Sequence, residues 1–212
     1  MIRDTLSAEA ARRLYDRLGA RYDWAERYES RAKTQALEAL ALAPGQTALN
    51  IGVGTGKEHA RIQDAVMPGG RAFGLDLSLV MLRLAAGRTG APLCQADARH
   101  LPFPTASVDR LYSAYVLDLI AAPDLPGLLA GFRRVLKPGG RMALVTLTEG
   151  VNLPSRAFVA LWKTVYAVSP IVCGGCRPLE LSAMVGGVGF SQIRREVVVQ
   201  FGVPSEVLLA IR

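Results

Sequence analysis

The sequence predicts a single α/β domain: a mostly parallel seven-stranded sheet, helices on both of its faces, and a helical cap at the N-terminus. Three observations predict it. From residue 47 onward, short apolar runs alternate with helix-length segments, the pattern of a parallel sheet whose crossovers are helices. The first of those runs ends at three glycines spaced two apart, Gly52, Gly54 and Gly56, a turn that lets a ligand approach bare backbone. Finally, 212 residues, half of them apolar, are enough for one domain with a real core.

In chain order, residues 8–42 read as helical. They are alanine-rich, with apolar positions at Leu14, Leu18, Leu37 and Leu40, and Pro44-Gly45 ends them. Thr47–Val53 reads as the first strand, Lys57–Val66 as a helix, Arg71–Leu75 as the second strand and Leu79–Arg88 as a helix. Ala91–Ala96 and Val108–Ser113 follow as strands three and four. Leu125–Leu136 is a helix stopped by Lys137-Pro138-Gly139-Gly140, and Arg141–Leu147 is strand five. After two more helical stretches, Gln192–Gln200 and Glu206–Ile211 read as a closing pair around Gly202-Val203-Pro204-Ser205. No repeat, low-complexity tract or linker divides the chain, so residues 1–212 form one unit. Within it, 1–45 make a cap, 46–148 a ligand-binding core, and 149–212 the substrate-side helices and closing strands. Ligands of such sheets lie beyond the carboxyl ends of the strands, which puts the chemistry on the loops that follow them.

Charge and composition narrow the partners. Twenty-five Lys and Arg against 18 Asp and Glu give a net charge of +7 and a pI near 9.7. The basic residues come singly or in pairs (Arg12-Arg13, Arg133-Arg134, Arg194-Arg195), whereas a nucleic-acid patch is clustered. This disfavours nucleic acid and leaves a peripheral contact with an anionic membrane open. No apolar run reaches the roughly 18–20 residues of a membrane span: Ser113–Gly131 is broken by Asp118, Pro123, Asp124 and Pro126. Met1-Ile2-Arg3-Asp4 leads into charged helical sequence rather than a leader, so the expected compartment is the cytoplasm. Cys173 and Cys176 form a lone C-x-x-C, too few ligands for structural zinc, and no metal is expected.

The glycine turn discriminates between nucleotide folds. A P-loop ending at Gly56-Lys57 would need glycine where Ile51 stands and Ser or Thr where Glu58 stands; the dinucleotide fingerprint needs a small residue at Lys57. Both fail. Thr55 and Glu58 have the spacing of a capping box for the next helix. Asp76 lies 24 residues beyond Gly52, where a carboxylate accepts both ribose hydroxyl hydrogens of an adenosine, while Ser78 is placed to cap the helix after it. Asp97, after the third strand, can accept from an adenine amino group, and Met81 can pack on the adenine face or simply fill core. The fourth strand brings Ser113 and Tyr115 to the same edge.

The ordered set Leu49-Asn50-Ile51-Gly52-Val53-Gly54-Thr55-Gly56, Gly74-Leu75-Asp76-Leu77-Ser78, Asp97-Ala98 with Leu101-Pro102-Phe103, Val108-Asp109, and Arg134-Val135-Leu136-Lys137-Pro138-Gly139-Gly140 resembles class I S-adenosylmethionine (SAM)-dependent methyltransferases. The branch it resembles most is that of the ubiquinone/menaquinone-biosynthesis C-methyltransferases. The resemblance implies the Rossmann-like class I methyltransferase fold, SAM as cofactor and S-adenosylhomocysteine as product. It implies cofactor contacts at Thr55, Asp76, Asp97, Ala98 and Ser113; Asn50, Gly52, Gly54, Gly56, Leu77 and Met81, on the same strand-end loops, complete the expected cofactor set. Tyr15-Asp16-Arg17 and Tyr22-Asp23-Trp24 resemble the family's cap, with Tyr22 as the aromatic over the cofactor. One departure stands out: the acidic residue usual at the head of the glycine motif is Asn50, whose carbonyl accepts from an ammonium without a full charge.

SAM carries its own leaving group, so the protein has mainly to align the acceptor and exclude water. A base is needed only where the acceptor must lose a proton; Asp118, His100, Tyr115 and Glu149 are the candidates. The Asn/Asp-Pro-Pro-aromatic tetrad of amino methylation is replaced by Ser113-Ala114-Tyr115-Val116, and the Pro-Cys nucleophile of cytosine methylation is missing. A small-molecule or lipid-like acceptor, such as a quinol or phospholipid, is left. Phe158, Trp162 and Tyr166, four apart on one helix with Leu161 and Val165, read either as a core stripe or as an apolar lid over the acceptor. Two alternatives remain: thiol-metalloid methylation through Cys94, Cys173 and Cys176, and a non-catalytic SAM-binding protein.

Overall fold

The computed structural model describes residues 5–24 and 26–212. Residues 1–4, which carry the expectation about a leader, lie outside them. Seven strands form one sheet: β1 (Thr47–Ile51), β2 (Arg71–Asp76), β3 (Leu93–Gln95), β4 (Val108–Ala114), β5 (Leu136–Leu147), β6 (Ser191–Gln200) and β7 (Val203–Ile211), in the order β3-β2-β1-β4-β5-β7-β6. The first five are parallel, and β7 is antiparallel to both β5 and β6. The order reverses between β1 and β4, so the loops after them diverge and leave a crevice at their carboxyl ends.

The helices are α1 (Ala8–Leu18), α2 (Glu26–Leu40), α3 (Lys57–Val66), α4 (Leu79–Ala86), α5 (Leu125–Val135), α6 (Leu153–Val168) and α7 (Ser182–Gly187). The N-terminal stretch is therefore two helices joined by a 3-10 turn over Gly19–Trp24, rather than one run. The alternation of side chains along β1 and β4 divides the core between the two faces. Leu49, Ile51 and Leu111 pack with Leu128, Leu129 and Phe132 of α5. Ala48 and Tyr112 pack with Ala36, Leu37 and Leu40 of α2 and Ile62 and Val66 of α3. Asn50 shares the second face, which matters for the site.

Two local expectations are corrected. The capping box at Thr55 and Glu58 does not form: α3 is capped by Gly56 in a left-handed conformation (φ +91°), with no side-chain cap. A side chain there would also bring its Cβ within 2.6 Å of the Ala85 Cα. Lys137-Pro138-Gly139-Gly140 does not delay β5 until Arg141. The strand begins at Leu136, and the four residues bulge out between the Val108–Leu136 and Arg110–Arg141 pairs. Asp109 fastens that bulge. Its carboxylate accepts from Lys137 Nζ at 2.9 and 3.0 Å and from the Thr47 amide at 2.8 Å, tying together the starts of β1, β4 and β5.

Candidate functional site

The crevice closes into a cavity of ≈ 250 Å³. Its floor is the glycine turn. The amides of Gly52 and Val53 both donate to the Leu75 carbonyl, at 2.8 and 3.0 Å, which bends the chain out of β1 and over the end of β2. Gly52 has φ +73°, and a Cβ there would sit 2.2 Å from Val116 Cγ2; only glycine fits. Asp76, the last residue of β2, holds this turn. Its Oδ2 accepts from the Gly54 amide and its Oδ1 from the Ser78 amide, both at 2.9 Å. Enclosure raises its pKa, and the hydrogen bonds from Ser78 and Gly54 work against that rise. Ser78 caps α4, accepting from the Met81 amide.

Further along the crevice, Asp97, Ala98, Leu77 and Met81 line the same wall. Asp97 is engaged by Arg99, which donates at 2.6 Å through its Nη2 and also binds Asp124 at 3.0 Å. Burial would raise the Asp97 pKa, but the hydrogen bonds from Arg99 outweigh it and hold the carboxyl below its ordinary value.

The cap supplies the roof. Tyr22 lines the cavity, with its ring 5.6 Å from that of Tyr15, and two aspartates latch the cap onto the loops beneath. Asp16 accepts from Ser78 Oγ at 2.5 Å. Asp23 accepts from Thr55 Oγ1 at 2.6 Å and from Arg88 at 2.7 Å, with Lys57 at 3.6 Å. Thr55 therefore serves the latch rather than the helix.

Sequence reasoning missed the charges beside Asn50. Lys33 of α2 is 5% exposed and lines the cavity. Its ammonium lies 2.8 Å from Glu29 and 3.9 Å from Glu58, and 5.6 and 5.7 Å from the ring centres of Tyr22 and Tyr115. Tyr22 in turn donates to Glu29. Asn50 lines the same space, buried, with its Oδ1 unmatched by any donor. Two carboxylates and an ammonium thus line the end of the cavity beside Asn50, polar groups of both signs that suit a ligand carrying an ammonium and a carboxylate. Only the packing of α2 on the sheet brings residues 29, 33, 50 and 58 together.

Some expected residues lie elsewhere. Gly56 is the α3 cap and does not line the cavity. Ser113 points to the opposite face from its neighbours Tyr112 and Ala114, and its Oγ donates to the Ile51 carbonyl at 3.1 Å. His100 is exposed, and Glu149 pairs with Lys163. Asp118 is fully buried off the cavity, with Oδ2 accepting from the Leu147 amide; burial pushes its pKa up to about 7. Tyr115 does line the cavity. It is held at φ +54°, shares a 2.6 Å hydrogen bond with Ser205 Oγ, and has a pKa raised well above 10 by burial, so it keeps its proton. Asp118→Asn and His100→Ala should each leave turnover within about threefold of the parent, whereas Tyr115→Phe should lower it by about tenfold, the scale of one hydrogen bond. Steady-state rates on an identified acceptor check the ranking. A larger loss from Asp118→Asn than from Tyr115→Phe would reverse it.

The aromatic stripe of α6 faces inward. Tyr166 is buried, and Trp162 Nε1 donates to the Cys176 carbonyl at 2.8 Å. Cys173 and Cys176 sit in the loop that this stripe supports, while Cys94 lies on edge strand β3. The fold does not gather the three thiols, and among the described residues no group of three or more His, Cys, Asp or Glu could hold a metal ion.

Comparison with known proteins decides the family. Residues 49–144 match the model of a methyltransferase domain. Over 162 residues the chain is 31% identical to the ubiquinone/menaquinone biosynthesis C-methyltransferase UbiE of Syntrophotalea carbinolica, covering 72% of this chain and 67% of that one. The chain belongs to the class I SAM-dependent methyltransferases. A 37% identical relative, a 37.1 kDa transposon protein of Streptomyces fradiae, matches over 116 residues, 53% of this chain and 33% of its own length. The fold of this methyltransferase superposes on that of the [4+2]-cyclase SpnF with a TM-score of 0.74 at 17% identity, covering 100% of this chain and 98% of the other. The cofactor of the methyltransferase is SAM, and its glycine turn, its carboxylate at the end of β2 and the charged cluster of Glu29, Lys33 and Glu58 beside Asn50 fit that group.

Proposed function

We propose that the enzyme methylates a small-molecule or lipid-like acceptor, with quinols and phospholipids the leading classes. The observation that carries this reading is the continuity of the cavity. The wall bearing Asp76 and Asp97 runs without a break into an apolar end formed by Leu6, Ala11, Tyr15, Val116, Leu119 and Ile120. An acceptor lying there shares one closed space with the cofactor. The relative named for quinone methylation points the same way.

SAM supplies a methyl group on a sulfonium leaving group. The chain's residues bind, align and keep water out. Asp76 takes the ribose hydroxyls, Asp97 and Ala98 meet the adenine edge, Met81 its face, and Tyr22 closes over the top. Asn50 and Glu58 receive the cofactor's ammonium and Lys33 its carboxylate, so that the charge missing at Asn50 is supplied from α2 and α3. Tyr115 donates a hydrogen bond toward the reacting end rather than taking a proton.

Lipid and quinone extracts incubated with the protein and methyl-deuterated SAM are expected to yield a deuteromethylated product in the organic phase. Mass spectrometry reads it, and label confined to water-soluble products would overturn the acceptor class. Lys33→Met should weaken S-adenosylhomocysteine binding by about tenfold, the scale of one charge-assisted contact. Unchanged affinity by calorimetry would remove Lys33 from the cofactor site.

A further inference from the structure

The surface of α6 and the loop after it is unlike the rest of the molecule. Leu153, Leu161 and Val168 fall on one side of the helix at 3.6 residues per turn, and they are 82%, 66% and 85% exposed. The alanines between them, at 157, 160 and 167, are exposed as well. Ile171 and Val172 continue the apolar surface into the loop, and Val151 precedes it, each more than half exposed. The opposite side of α6 is already used: Val159 and Tyr166 are buried, and Trp162 is bonded to the loop. The helix is thus amphipathic with its larger aromatic side chains inward and an aliphatic side facing water, the reverse of a surface helix that only packs on its own sheet.

Charge says what covers it. From Gly150 through Leu179 there are three basic residues, Arg156, Lys163 and Arg177, and no acidic one. Glu149, next to the segment, pairs with Lys163 at 2.5 Å. A second copy of this chain would set the same basic surface against itself, within a molecule of net charge +7. An anionic bilayer offers apolar depth for the aliphatic side chains and headgroup charge for Arg156, exposed on the same helix. The position fits too. The loop touches the apolar end of the cavity: Tyr15 donates to the Gly174 carbonyl at 3.3 Å, and Arg177 to the Ile120 carbonyl at 2.6 Å.

We infer that α6 and the loop over residues 169–177 form a docking surface for an anionic lipid bilayer, set beside the acceptor end of the cavity. The helix lies in the plane of the headgroups and does not cross; no helix among the described residues is long and apolar enough to span a membrane. The inference extends the lipid-like reading of the acceptor, but its readout is binding rather than turnover.

Sedimentation with vesicles of phosphatidylglycerol and phosphatidylcholine tests it on the full chain. The parent is expected to sediment with mixed vesicles at low salt, and at least tenfold less with phosphatidylcholine alone or at 0.5 M salt. The Leu161→Asp/Val168→Asp variant is expected to lose at least tenfold in vesicle affinity while keeping its melting temperature and its affinity for S-adenosylhomocysteine. Because both positions face water, the variant folds if the surface is as described. Leu161→Ser/Val168→Ser provides the same comparison without new charge. No sedimentation of the parent, parent-like sedimentation of both double variants, or a parent dimer that the serine variant dissociates would each overturn the inference. A water-soluble acceptor together with vesicle binding would overturn the acceptor class alone, and a methylated lipid without vesicle binding would overturn the docking surface alone.

Discussion

Replacing Asp76 by alanine is expected to weaken S-adenosylhomocysteine binding by about 10- to 150-fold, or about 1.5–3 kcal/mol, the worth of a charge-assisted hydrogen bond in an enclosed site. Two losses combine in that figure. The carboxylate takes the ribose hydroxyls in the function proposed above, and it already holds the glycine turn through the Gly54 and Ser78 amides. Asp76→Asn separates them, since the amide oxygen still accepts one backbone hydrogen but offers the ribose no charge. Its affinity should fall between those of the parent and the alanine variant. Titration calorimetry measures all three, with NAD as the control ligand. Parent-like binding by Asp76→Ala would remove the ribose role, and tighter binding of NAD than of S-adenosylhomocysteine would contradict the cofactor geometry.

The second large effect concerns acid. His59 of α3 is wholly buried with its ring against Gly74 of β2, neither ring nitrogen has a hydrogen-bond partner, and burial lowers its pKa from 6.5 to about 4. Between those values the unfolded chain binds a proton that the folded chain refuses. The folded state therefore has its full stability above pH 6.5 and loses it as the pH falls toward 4, by up to about 3 kcal/mol from this group. Asp118 pulls the other way, because its raised pKa favours the folded state as the pH falls from about 7. The informative quantity is thus the difference between the parent and His59→Leu. Urea unfolding at pH 7.5 and 5.0 should show the variant gaining about 2 kcal/mol on the parent at the lower pH. Parallel pH profiles would mean that the imidazole is solvated in the folded protein.

How much of this could be seen in the sequence depends on how local each feature is. Gly52, Gly54, Asp76 and Asp97 sit within a few residues of strand ends whose positions the apolar runs set, and they line the cavity as spacing predicts. Ser113 was misplaced by a single step of the strand's two-residue alternation: Tyr112 and Ala114 face the cavity, and Ser113 faces β1. Thr55 carried a capping signature, yet a longer-range partner, Asp23, claims its hydroxyl. Lys33 and Glu29 lie in a stretch whose only visible signal was helicity. Their role follows from the docking of α2 against β4, β5 and β7, which no spacing rule within the chain encodes. The motif around Asp109 and Lys137 was legible as a family mark, but in space it clamps the starts of three strands.

Asp16 and Asp23 fasten the cap to Ser78, Thr55 and Arg88, the residues that flank the ribose carboxylate and the glycine turn. Both aspartates belong to one short stretch of chain, so that stretch ties the loop after β1 to the loop after β2, and a substitution at either aspartate is felt at both.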